Sequence, residues 1–97
     1  MIVAETILQQ IGGNRFIAMT GANRFVGTEN SLKFYFKMNQ KMNLCVIELN
    51  SWDLYDMTFY QYSKKNLTAK EVKKETDVYN DQLQKIFTSI TGLDTHL

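Results

Sequence analysis

From Ser31 onward, apolar and polar residues alternate one by one. Leu32, Phe34, Phe36 and Met38 interleave with Lys33, Tyr35 and Lys37. A period of two marks a strand with one face on a core. The pattern returns in Leu44–Leu49, with Cys45, Ile47 and Leu49 on one side. Asn50-Ser51-Trp52-Asp53 interrupts it. Tyr55–Tyr62 then sets Tyr55, Met57 and Phe59 against Asp56, Thr58, Tyr60 and Tyr62. The connection 39–43 has hairpin length.

Toward both ends the period lengthens. Ala4, Ile7, Leu8 and Ile11 fall at i, i+3, i+4 and i+7, which predicts a short amphipathic helix stopped by Gly12-Gly13. Tyr79, Leu83, Ile86, Phe87 and Ile90 form one apolar stripe of a last helix. Asp77 is its expected N-cap, and Asp81 suits the positive end of the dipole. Gly92 is expected in the left-handed position past its end, with Leu93 as hydrophobic partner.

Two stretches are read less directly. Asn14–Thr20 is expected to be a strand, followed by a turn at Gly21-Ala22-Asn23 and a loop over 27–31. Residues 64–76 admit an edge strand, a loop or a helix. Thr68-Ala69-Lys70-Glu71 fits a capping box. Only Leu67 and Val72 are apolar there, however, and lysines commonly blunt a sheet edge, so an edge strand is the expectation. The whole chain, 1–97, thus reads as a single α+β domain. It has a four- or five-stranded antiparallel sheet with N-terminal and C-terminal helices packed on one face. The other face is left open.

With 11 basic and 10 acidic residues, net charge favours neither nucleic acid nor membrane; only a local patch could. Cys45 is the one cysteine, which excludes an internal disulfide and fits a reducing cytoplasm. The start, Met1-Ile2-Val3-Ala4-Glu5, lacks the basic region of a signal peptide, and no apolar run reaches membrane length. An intracellular, cytoplasmic protein without a membrane partner is expected.

Catalytic chemistry finds little material. His96 stands one residue from the end and Cys45 is alone, so neither a metal site nor a His-dependent catalytic unit is expected. The glycines lack phosphate-loop spacing. Asp53 with Asp56 and Asp77 with Asp81 could imitate an acid–base pair, but a turn breaker and a helix start explain them more simply. The protein is expected to be no enzyme, with no cofactor and no metal.

Binding chemistry is better represented. Lys33, Tyr35, Lys37, Tyr60 and Tyr62 all fall on the strand face turned away from the core. Rings between ammonium groups on an open sheet are what a single-strand nucleic-acid platform uses. Tyrosines also pair across strands for stability alone. Leu44 and Val46 on the same face favour a protein interface over a wet groove. Five of the basic residues, Lys64, Lys65, Lys70, Lys73 and Lys74, crowd one window against the single acid Glu71, as a phosphate patch or a solvated edge would. Trp52 is either an interface anchor or a plug at the end of the core. Arg15 and Arg24, each in Asn-Arg-Phe, could share an anion if their turns meet.

Gly12-Gly13-Asn14-Arg15-Phe16-Ile17-Ala18-Met19-Thr20-Gly21-Ala22 near the start, and Asp77-Val78-Tyr79 with Phe87 and Thr91-Gly92-Leu93 near the end, carry a likeness. Over nearly its whole length the chain resembles a family of small uncharacterised proteins of bacteriophages, prophages and other mobile elements. The resemblance implies a setting, accessory work on host or defence machinery in a bacterial cytoplasm, and no activity or catalytic residues. The expectation is therefore a non-enzymatic binding protein that occupies a host or phage macromolecule, first of all a protein. A single-stranded nucleic acid on the Lys/Tyr face is the alternative, and self-association is open.

Overall fold

The computed structural model describes residues 2–37 and 41–92. Met38, Leu93 and His96, named above, lie outside the described residues, as do Asn39 and Gln40 of the hairpin connection. The chain runs α1 (Ile2–Ile11), α2 (Gly13–Thr20), β1 (Asn23–Gly27), β2 (Ser31–Tyr35), β3 (Leu44–Leu49), β4 (Tyr55–Ser63), β5 (Thr68–Val78) and α3 (Leu83–Thr91), with a 3₁₀ turn at Asn80–Gln82 before α3. The strands form one antiparallel sheet in sequence order, β1-β2-β3-β4-β5. The α+β architecture is as the periodicities predict.

The alternation of Ser31–Tyr62 sets the layers. Leu32, Phe34, Phe36, Cys45, Ile47, Tyr55, Met57 and Phe59 are all buried on one face. Ala4, Ile7 and Ile11 of α1, Phe16 of α2, and Leu83 and Phe87 of α3 close over them in one core. The Tyr55 hydroxyl donates to Gln10 Oε1 at 2.7 Å, tying β4 to α1, and burial raises its pKa above the ordinary tyrosine value. β5 occupies the edge, as its lysines suggest, and is exposed almost throughout.

Asn14–Thr20 is helix, not strand. Gly12 (φ 133°) and Gly13 (φ 58°) make a tight corner between two helices instead of a helix stop before a strand. The buried positions of α2 are Gly13, Phe16 and Thr20, a helical spacing that the β-favouring residues between them conceal. The Thr20 hydroxyl donates back to Phe16 O at 2.8 Å. The strand lies further on: Asn23–Gly27 is β1, a segment that carried no strand assignment.

The start of α3 also differs from expectation. Asp77 belongs to β5 with φ 57° and does not cap the helix. Its carboxylate is engaged by Asn50 Nδ2 at 2.9 Å, so it braces the β3–β4 turn instead. Tyr79 is 58% exposed and leaves the stripe, which begins at Leu83. The helix end is as expected: Gly92 has φ 74° and its N–H donates to Thr88 O at 2.8 Å. A Cβ at Gly92 would meet nothing within 4 Å, so Gly92→Ala should cost about 1 kcal/mol from backbone strain alone. Urea unfolding checks this. Stabilisation would mean that the last turn tolerates a right-handed residue there.

Candidate macromolecule-binding face

The register of the sheet orders the open face into rows. Tyr35, Leu44, Tyr60 and Glu71 follow one another across β2 to β5, and Lys33, Val46, Thr58 and Lys74 form the next row. Leu44 is only 5% exposed between its tyrosine neighbours. The apolar surface that favoured a protein interface is thus largely covered by the face itself.

Where β2 and β4 end, the face dips into a hollow of about 360 Å³, lined by Asn23, Arg24, Tyr35, Phe36, Lys37, Asn43, Tyr62 and Lys64. Three of these side chains are cationic and none is a carboxylate. Each is held there by a local feature of the chain. The β1–β2 register slips between Asn23 and Val26, and Arg24 sits in that bulge with φ 55°. Its guanidinium lies 5.6 Å from the centre of the Tyr35 ring. The Lys37 stem runs over Gly21, where a Cβ would come within 3.2 Å of it. The Lys37 N–H donates to Thr20 O at 3.0 Å, anchoring the strand end beneath the ammonium. Lys64 enters from the turn between β4 and β5.

Asn43 aligns the two rings. Its Nδ2 donates to Tyr62 O at 3.0 Å, and its Oδ1 accepts from the Tyr62 N–H at 2.7 Å. That pairing continues the sheet ahead of the first residue of β3. Tyr62 thereby stands edge-on to Tyr35, ring centres 5.4 Å apart at 67°.

Of the binding candidates singled out from sequence, Tyr35, Lys37 and Tyr62 of the sheet face meet in the hollow, joined by Lys64 of the basic window and by Arg24. Lys33 and Tyr60 share the face but stand outside it, Tyr60 opposite Glu71. Asn23 and Asn43 are added. Arg24 was paired with Arg15 in the sequence, but the structure separates them. Arg15 is exposed on α2, whose Phe16 packs on Phe34 at the core face, while Arg24 lies over Tyr35 on the opposite face. Lys70, Lys73 and Lys74 lie on β5, and Lys73 approaches Glu75 at 3.8 Å. Trp52 is 78% exposed in the β3–β4 turn and plugs no part of the core.

The remaining candidates have structural partners. Asp56 Oδ1 accepts from Asn50 Nδ2 and from the Asp77 N–H, and Asp53 takes a positive φ in the turn. Burial pushes the Cys45 thiol up, the wrong direction for a nucleophile or a metal-binding thiolate. No cluster of metal-binding residues occurs among the described residues, and no described helix is long and apolar enough to cross a membrane. No family model, no curated protein and no solved structure matches the chain.

Proposed function

We propose that the protein is a non-enzymatic binding protein whose open sheet face holds single-stranded nucleic acid, anchored at the hollow. The observation that carries this reading is the convergence of Arg24, Lys37 and Lys64 around Tyr35 and Tyr62, with no acid among them. A phosphodiester needs cations, and a base needs a ring to stack on. At about 360 Å³ the hollow lies near the lower end of the ~300–1,000 Å³ range of small-ligand sites, room for one base and its phosphate. Lys33 and Lys74, in the row beyond, extend the track for the neighbouring nucleotides. The near-neutral chain does not oppose this, because attraction at this range is set by local charge. The setting proposed with it is the one the resemblance implies, accessory work for a mobile element in a bacterial cell.

Titration of a labelled oligonucleotide at two salt concentrations tests the reading. Affinity should fall steeply with salt, and removing Arg24, Lys37 or Lys64 should each lower the salt slope by about one phosphate. Tyr35→Ala should cost about 1–3 kcal/mol of binding with the slope unchanged, because stacking is not ionic. A protein-binding face behaves otherwise, with weak salt dependence and loss of partner capture when Tyr35 or Tyr60 is altered. No binding in the micromolar range at low salt would overturn the nucleic-acid reading and leave the protein-partner one.

A further inference from the structure

The two edges of the sheet are unlike. β1 is five residues long and broken by the Arg24 bulge, two devices that keep an edge from pairing. β5 is eleven residues long, and its outward backbone groups face solvent. Lysines alone would blunt such an edge, but here Lys70, Lys73 and Lys74 are interspersed with Glu71 and Glu75.

The register against β4 assigns their sides. Lys70, Lys73 and Glu75 pair with Gln61, Phe59 and Met57 and so lie on the helix side. Glu71 and Lys74 pair with Tyr60 and Thr58 and lie on the open side. Val72, at the register shift, separates the two runs and changes the parity of the strand.

We propose that β5 pairs antiparallel with β5 of a second copy of this chain, in the register that sets Thr68 opposite the partner's Asp77. Lys70 then faces the partner's Glu75 on the helix side, and Glu71 faces the partner's Lys74 on the open side. The two-fold axis repeats both pairs. Val72 comes opposite the partner's Lys73, whose aliphatic stem can cover it. Directly opposed residues of an antiparallel pair must share a face, and both charge pairs meet that condition only because of the shift at Val72. A slip of one residue either way sets helix-side residues opposite open-side ones, against that condition. A slip of two one way sets Lys70 opposite the partner's Lys73, like charges both on the helix side, and a slip of two the other way sets helix-side Lys73 opposite the partner's open-side Lys74. The charge pattern therefore selects one register, as charged positions do in other self-pairing elements.

An antiparallel pair across a sheet edge has its two-fold perpendicular to the sheet. The open faces of both copies therefore lie on the same side of one continuous ten-stranded sheet. The dimer stands independently of the nucleic-acid reading.

Sedimentation without nucleic acid, over a range of concentration and at low and moderate salt, tests it. Wild type should form a dimer that weakens with salt. Lys70→Glu and Glu75→Lys should each weaken association by about tenfold or more, because each turns two attractive pairs into repulsive ones. The double variant should restore the dimer by re-forming both pairs with the charges exchanged. These side chains lie on a strand with little burial, so melting temperatures measured at dilutions where wild type is also monomeric should stay at the wild-type value and report that the variants fold. A monomer at every concentration would overturn the proposal and leave the lysines as edge protection. So would a dimer indifferent to the single reversals, or a double variant that stays dissociated.

Discussion

Phe87→Ala should destabilise the protein by about 3–5 kcal/mol, the range for removing a fully buried ring from a packed core. Phe87 has no exposed surface, and four other phenylalanines surround it. Phe16 lies edge-on at 4.9 Å and Phe36 at 5.1 Å, with Phe59 at 5.9 Å and Phe34 at 6.2 Å. These rings belong to α2, β2, the segment after it, and β4, so no single element can collapse to refill the space. A domain of this size holds only roughly 5–15 kcal/mol in total. The melting midpoint should therefore fall by more than about 10 °C, from about 4–8 °C per kcal/mol at this length. Thermal unfolding followed by circular dichroism measures it. A midpoint within about 3 °C of wild type would mean that α3 does not seal the core.

Asn50→Ala should cost about 2–3 kcal/mol, although Asn50 lies in a turn. Its Nδ2 donates to Asp56 Oδ1 at 3.0 Å and to Asp77 Oδ1 at 2.9 Å. Its Oδ1 accepts from the Trp52 N–H at 2.8 Å and the Leu54 N–H at 3.2 Å. One side chain thus closes the β3–β4 turn and ties it to the end of β5, 27 residues away. Partly exposed bonds contribute about 0.5–1.5 kcal/mol each and share one donor and one acceptor group, so the sum stays below four full bonds. Equilibrium unfolding gives the total. Amide exchange at Trp52 and Leu54 should speed up in the variant; unchanged exchange would mean that the turn is held by its backbone alone.

Where burial follows a simple period, the fold was legible. Leu32 to Phe59 alternate because one sheet face is dry and the other wet, and no tertiary contact overrides that. The helix α2 was not legible. Its two turns are too short to show a period, and Phe16, Ile17 and Thr20 suit a strand equally well. The chain contains its own control: Asn14-Arg15-Phe16 is helical and Asn23-Arg24-Phe25 begins a strand. The same three residues take opposite forms because Phe16 packs beneath Phe34 and Phe87, while the second copy pairs with β2. Asp77 misled for a related reason. An aspartate before a helix is the usual cap, yet here its carboxylate bonds to Asn50, a long-range partner that local spacing cannot reveal.

Half of the candidate site was visible for the same reason as the strands. Tyr35, Lys37 and Tyr62 follow from alternation alone. Arg24 and Asn43 do not, since one depends on a bulge in an unassigned strand and the other on side-chain bonding to a neighbouring backbone. Lys33 lies one row away, and Tyr60, in the row of Tyr35, stands on the far side of Leu44, distinctions that only the register supplies.

The order of the elements has a consequence for synthesis. Each strand pairs with its neighbour in sequence, so the sheet can assemble hairpin by hairpin as it emerges. The helical layer cannot, because α1 and α2 precede the sheet, α3 follows it, and α1 packs on α3. Until α3 is clear of the ribosome, Phe34, Phe36 and Phe59 lack the ring that fills the space between them. At roughly 5–20 residues per second, the interval from Ser63 to Thr91 lasts on the order of a few seconds. The strand made during that interval is the lysine-bearing β5, so the growing edge of the nascent sheet is charged while its apolar face still lacks α3.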